Sequence, residues 1–248
     1  MKFVAAVLAT ALWAPPQLAM AQDFSPSQKS QIETILREYL LKNPELLQEA
    51  MSELEKKQGV AQAEKAKTAV SSNASLIFNS PRQVTLGNPN GNVTMVEFFD
   101  YNCGYCKRAM TDMMEMLKDP NLKVVLKEFP VLGAGSVEAA QVATAVRMQD
   151  KTGKKYLDFH QRLLGGRGQA DKARAMAAAR DAGMDMARIE KDLGSNEVKE
   201  SLQESFKLAE SLGLNGTPSY VIGNDVVIGA VGLAALKEKV TAARTAAK

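Results

Sequence analysis

A strand that turns straight into a helix at a pair of cysteines is the strongest constraint in this chain. Val93-Thr94-Met95-Val96-Glu97-Phe98-Phe99-Asp100 reads as a buried strand. Lys107 to Lys118 reads as a helix with Met110, Met113, Met114 and Leu117 at helical spacing. Between them stands Cys103-Gly104-Tyr105-Cys106, which holds the chain's only two cysteines. Free N–H groups and the helix dipole at such a junction favour a negative sulfur on the first cysteine. Two thiols so placed can close a disulfide or offer one attacking thiolate, which is the equipment of thiol–disulfide exchange. A purely structural bridge has weak purpose, because closing so small a loop removes little chain entropy. Zinc wants about four ligands, and the chain has two cysteines and one histidine. No metal and no cofactor is expected at this site.

The N-terminus reads as a cleavable signal peptide over residues 1–21. Lys2 supplies the positive start, Phe3 to Trp13 the apolar core, and Ala19-Met20-Ala21 the small-residue cleavage site, so the mature chain is expected to begin at Gln22. The apolar run is too short for a membrane span of roughly 20 residues. With no cysteine after the cleavage site, a lipid anchor is not expected either. Export to the periplasm places the thiols where disulfides persist, and a single close pair is not a disulfide framework. The formal charge of +3 becomes +2 once Lys2 is removed. That balance gives no sign of a nucleic-acid partner.

Residues 22–66 read as a helical segment with no core of its own. Ser25 or Ser27 can cap a first helix with Ile32, Ile35, Leu36, Tyr39 and Leu40 on one stripe. Asn43-Pro44 reads as a restart, with Asn43 as N-cap, and the second helix carries Leu46, Leu47, Ala50, Met51 and Leu54 on one face. Two such helices bury too little alone, which favours self-association. Residues 67–82 read as a polar connector ending in Ser80-Pro81. From residue 83 the order is a short strand near Gln83 to Leu86, the Val93 strand, the cysteine helix and a strand over Leu122 to Phe129. Short alanine-rich helices fill about 133–214, then a hairpin turns at Gly223-Asn224-Asp225 and a helix over Leu233 to Ala247 closes the chain. This is an α/β plan with one helical insert.

Phe98-Phe99-Asp100-Tyr101-Asn102-Cys103-Gly104-Tyr105-Cys106, followed by Gly216-Thr217-Pro218-Ser219-Tyr220, resembles the DsbA-like branch of the thioredoxin superfamily over residues 83–248. The resemblance implies a thioredoxin fold with an inserted helical subdomain and a cis Thr217-Pro218 bond beside the sulfurs. It also implies a buried acid beneath the second cysteine, a place that Glu97 fills; a carboxyl buried there can accept the proton of Cys106. Ile35-Leu36-Arg37-Glu38-Tyr39-Leu40-Leu41-Lys42-Asn43-Pro44-Glu45 is similar to the oligomerisation segment of the exported ScsC and Com1-like proteins, some of which are trimers. Strongly oxidising relatives have Pro-His between their cysteines; Gly104-Tyr105 lacks that imidazole, which implies a milder oxidant.

These readings converge on a protein disulfide isomerase or reductase. Cys103 is its exposed nucleophile, Cys106 resolves the mixed disulfide, and Thr217 offers backbone hydrogen bonds to an extended substrate. Its partners would be exported proteins with thiols or disulfides and a membrane reductase of the DsbD or ScsB kind. A dithiol oxidase is the alternative within the same chemistry. Two alternatives lie outside it: a copper-binding protein using Met110, Met113, Met114 and Met116 with the thiolates, and a chaperone that needs no redox turnover. Met110, Met113 and Met114 fall on the face expected to pack, with Met116 out of line, which favours core packing over copper. His160 sits in a stretch that reads as a packing helix of the insert.

Overall fold

The computed structural model describes residues 24–150 and 152–246, so the expected signal peptide lies outside the described residues. The chain divides into two compact units after Lys56. In the first, Ser25 starts helix α1 (Pro26–Lys42) with a capping box, its hydroxyl accepting the Gln28 N–H while the Gln28 side chain accepts the Ser25 N–H. Asn43 closes this helix instead of opening the next: its backbone and side-chain amides both donate to the Tyr39 carbonyl, at 2.9 and 2.8 Å. Helix α2 (Glu45–Ser72) begins one residue beyond Pro44. No residue of α1 is buried, and Ile35, Leu36 and Tyr39 are each more than half exposed.

The expected polar connector is mostly helix. Helix α2 continues to Ser72 and α3 (Ala74–Asn79) follows it. Val70 and Ile77 are buried against the sheet of the second unit, among Val96, Phe98 and Val125. Polar composition hid this because only one or two apolar side chains per helix turn inward.

That sheet has the order β1-β3-β2-β4-β5. The strands are β1 (Val84–Gly87), β2 (Val93–Phe99), β3 (Leu122–Glu128), β4 (Ser219–Ile222) and β5 (Asp225–Ile228). Strands β2 and β3 are parallel, joined through helix α4 (Gly104–Met116), and the other pairings are antiparallel. Alternation along β2 and β3 divides the core. Met95, Phe99, Val124 and Leu126 face α4, the insert and the last helix, α10 (Leu233–Ala246). Val96, Phe98 and Val125 face α3 and α9. Five helices, α5 (Ala134–Gln149), α6 (Lys154–Leu164), α7 (Lys172–Asp181), α8 (Met186–Leu193) and α9 (Asn196–Ser211), fill the space between β3 and β4, as the insert reading expected. The β4–β5 hairpin turns at Gly223, whose φ of 59° suits glycine.

Candidate active site

Cys103 is the N-cap of α4, with an extended backbone and a sulfur that accepts the Cys106 N–H at 3.4 Å. Its thiol donates to the Thr217 carbonyl at 3.1 Å, so the loop entering β4 lies against the sulfur although it is 114 residues away in sequence. The Thr217–Pro218 peptide bond is cis. Neither cysteine is in a disulfide. Both cysteines are buried, Cys103 with 6% exposure and Cys106 with none, so the expected exposed nucleophile is largely covered, its sulfur lying under the Thr217 carbonyl. Burial pushes the Cys106 thiol far up from its ordinary value; a backbone hydrogen bond at Asp100 opposes this, and the charge of Glu97 adds to it.

Glu97 lies on β2, between β3 and β4, where its register partners are Leu126 and Tyr220. It shares the α4-facing side with Met95 and Phe99, so it is not an edge residue. It is 3% exposed and its Oε2 has no hydrogen-bond partner among the described residues. Burial, helped by the charge of Asp112, raises its carboxyl to about 8. A carboxyl held at about 8 keeps a carboxylate fraction at neutral pH that can accept a thiol proton and later return it.

Three residues before Cys103 tie the site to the insert. Asp100 accepts four hydrogen bonds: from the Asn102 N–H and the Ser136 hydroxyl on Oδ1, both at 2.7 Å, and from the Val131 and Leu132 N–H groups on Oδ2, at 2.8 and 2.9 Å. The Asn102 side chain pairs with Ala170 like a strand, donating to its carbonyl at 2.8 Å and accepting its N–H at 2.6 Å. The Tyr101 hydroxyl lies 3.3 Å from both Tyr156 Oη and His160 Nδ1 and 3.5 Å from Glu128. Tyr156 donates to Glu128 at 2.6 Å. Burial raises Glu128 to about 8 against those hydrogen bonds, and burial lowers His160 to about 3, so the imidazole is neutral.

The fold sets Thr217 and the cis Thr217–Pro218 bond beside Cys103 and brings the charge of Glu97 to bear on Cys106. Tyr105 is 60% exposed at the mouth, and Gly104 opens the helix. The methionines differ from expectation: Met116 is buried along with Met113, while Met110 and Met114 flank the core half-buried. The polar cluster of Tyr101, Glu128, Tyr156 and His160 was not foreseen. Its members are 27 to 59 residues apart from Tyr101, and none carries a local motif.

A family model described as DSBA-like thioredoxin domain matches residues 94–241, and one described as Copper resistance protein ScsC N-terminal domain matches residues 28–61. The crystal structure of a thioredoxin-like oxidoreductase from Silicibacter pomeroyi DSS-3 is 42% identical, covers 69% of this chain and 97% of its own, and superposes with a TM-score of 0.65. A Proteus mirabilis ScsC variant with a linker deletion is 27% identical over 92% of this chain and 99% of its own, with a TM-score of 0.67. The Thiol:disulfide interchange protein DsbA of Bordetella pertussis is 27% identical over 140 residues, which cover 54% of this chain. The chain spans less than two thirds of the first curated relatives it matches, 23% of one and 64% of the Bordetella protein.

Proposed function

Because the chain belongs to the DsbA-like thioredoxin family, we propose that it is an exported thiol:disulfide oxidoreductase working in the periplasm, chiefly as an isomerase and reductase of protein disulfides. The observation that carries this is a pair of cysteines at one helix start, the first with its sulfur against the Thr217 carbonyl, with a partnerless buried carboxyl on the strand beneath. The Cys103 thiolate attacks one sulfur of a substrate disulfide. A Cys103–substrate bond forms, the substrate S–S bond breaks, and the other substrate sulfur leaves as a thiolate. In isomerisation that thiolate attacks a further substrate disulfide, and the thiolate this frees attacks the mixed disulfide and releases Cys103, with no net oxidation. In reduction Cys106 passes its proton to the carboxylate form of Glu97 and attacks Cys103 Sγ; the Cys103–Cys106 bond forms, the Cys103–substrate bond breaks, and the second substrate sulfur leaves as a thiolate. The pair ends oxidised by two electrons and the substrate reduced by two. A dithiol reductant, such as a membrane reductase of the DsbD or ScsB kind, must then return the pair to thiols.

The half-buried Thr217 carbonyl beside Cys103 supports binding of an extended substrate by backbone pairing. The spacer Gly104-Tyr105 supports a mild potential, since it lacks an imidazole to stabilise the thiolate. Exposed Ile35, Leu36, Tyr39, Leu47, Met51 and Leu54 support self-association of the N-terminal segment, an apolar surface that a monomer would leave to water. Copper binding through the methionines is disfavoured, because Met113 and Met116 are committed to the core.

The test is refolding of a scrambled disulfide protein by the full chain, by Cys103→Ala and by a variant lacking residues 22–56. The full chain is expected to restore activity, Cys103→Ala to abolish it, and the shortened variant to shift from isomerase toward simple exchange. Rapid oxidation of reduced peptides without reactivation would instead identify a dithiol oxidase. Reactivation by Cys103→Ala would identify a redox-independent chaperone.

A further inference from the structure

Several cations lie on the helix and loop next to Cys103. Lys107 and Arg108 follow the cysteines directly in α4. The Arg108 guanidinium carbon stands 4.4 Å from the ring centroid of Tyr105, the exposed residue between the two sulfurs. The Lys107 ammonium donates to the carbonyls of Gly166 and Gly168, at 3.2 and 3.4 Å. Those bonds draw the loop after α6 up to the active-site helix, with Arg167 exposed at its tip. The far end of that loop, Ala170, is held by Asn102, the residue next to Cys103. The Arg174 guanidinium lies against Gly166 and Gly168.

Among the described residues, none of Lys107, Arg108, Arg167 and Arg174 belongs to an ion pair. Neighbouring acids among the described residues make their own bonds, and none of them pairs with these four cations. Asp171 accepts the Arg174 N–H, Glu138 accepts the Lys172 N–H, Asp158 pairs with Arg162, and Asp100 is buried with four donors. Asp112 is half-buried on α4 and acts on Glu97 and Tyr220. Unpaired cations held at a reactive sulfur raise the local concentration of anionic partners and speed their encounter.

We propose that this basic rim selects substrates, favouring cysteines flanked by Asp and Glu over cysteines flanked by Lys and Arg. The proposal rests on the exchange reading above and names the substrate class of that same site. Lys107 ties the loop in place, while Arg108 and Arg167 present the charge to the incoming chain. With the Arg108 guanidinium over the Tyr105 ring, the substrate meets a cation stacked on an exposed aromatic side chain. The local sign differs from the near-neutral whole, whose formal charge is only +3.

Three disulfide peptides of equal length, flanked by acidic, neutral or basic residues, provide the test. Single-turnover exchange with the full-length protein is followed at about 20 mM and about 300 mM salt, where the Debye length falls several-fold. The acidic peptide is expected to react about tenfold faster than the neutral one at low salt, and the basic peptide more slowly. The acidic-to-neutral ratio should fall toward about one at high salt and in the double variant Arg108→Glu, Arg167→Glu. Arg108→Gln, Arg167→Gln repeats the measurement without introducing acids. An equal change for all three peptides would mean that the cations act on the sulfur and not on the substrate, and would overturn the proposal. So would a ratio near one in the unaltered protein while the neutral peptide still exchanges. Failure of all three peptides to exchange would instead remove the exchange reading, and the proposal with it.

Discussion

Two carboxyls on adjacent strands, both held near 8 by burial, differ in everything except that shift. Glu97 on β2 lies under the cysteines with one oxygen lacking any partner, and its nearest charged influences are Asp112 and the thiols. Glu128 on β3 takes hydrogen bonds from Tyr156 at 2.6 Å and Tyr101 at 3.5 Å, in a cluster closed by a neutral histidine. A raised carboxyl is therefore not by itself a mark of chemistry. What distinguishes the two is whether the group has been given partners: a satisfied acid holds a fold together, and an unsatisfied one is available to a moving proton.

The largest test of this contrast is kinetic. Glu97→Gln should slow the step in which Cys106 resolves a mixed disulfide by about 100-fold, as loss of a general base does, while Glu128→Gln stays within about threefold. Stopped-flow release of a fluorescent thiol from the preformed mixed disulfide reads that step directly. Equal slowing by both substitutions would erase the distinction. Stability should show the reverse order. Glu128→Leu takes from the buried Tyr156 hydroxyl its acceptor at 2.6 Å and should cost about 2 kcal/mol in urea denaturation, whereas Glu97→Met should be neutral or stabilising.

The pH dependence gives a smaller effect that both carboxyls share. Each is held protonated in the fold up to about 8, against an ordinary 4.5. Through that window the unfolded chain has given up a proton that the folded chain keeps, so stability falls as pH rises. Glu97→Gln should remove part of that slope and leave the part due to Glu128. His160 works at the opposite end: its imidazole is held near 3 against an ordinary 6.5, so stability falls as pH drops through that range. Denaturation midpoints of the unaltered protein across pH should therefore peak in mildly acidic solution. Smallest of all, Tyr156→Phe should cost about 1 kcal/mol and raise Glu128 further, since that hydroxyl's hydrogen bond is the leading influence holding it down.

Much of the catalytic side was legible in the sequence because its determinants are local. The cysteines sit within one turn, and the hairpin announces itself at Gly223-Asn224-Asp225, while the role of Glu97 beneath them came from the family resemblance. Thr217-Pro218 is distant, and it could be placed only through the family resemblance. The α2–α3 stretch was misread because Val70 and Ile77 bury singly among polar neighbours, which leaves no stripe to detect. Met116 was set aside by a helical-wheel argument that allowed α4 one buried face; sheet and α10 enclose it over a wider arc. The tyrosine, histidine and glutamate cluster depends on which helix of the insert lands on β3, and no local pattern carries that.

The tether at Asp100 and Asn102 has a further consequence, for the interchangeability of parts. The insert can look like a cassette, bounded by β3 on one side and β4 on the other. Yet Ser136, the Val131 and Leu132 amides and both polar groups of Ala170 bond to the two residues on either side of Tyr101, just before the nucleophile. A chimera that borrows these helices from a relative inherits working sulfurs only if it reproduces those few backbone positions. The helical block and the cysteine loop are two halves of one template, and drift in either is constrained by the other.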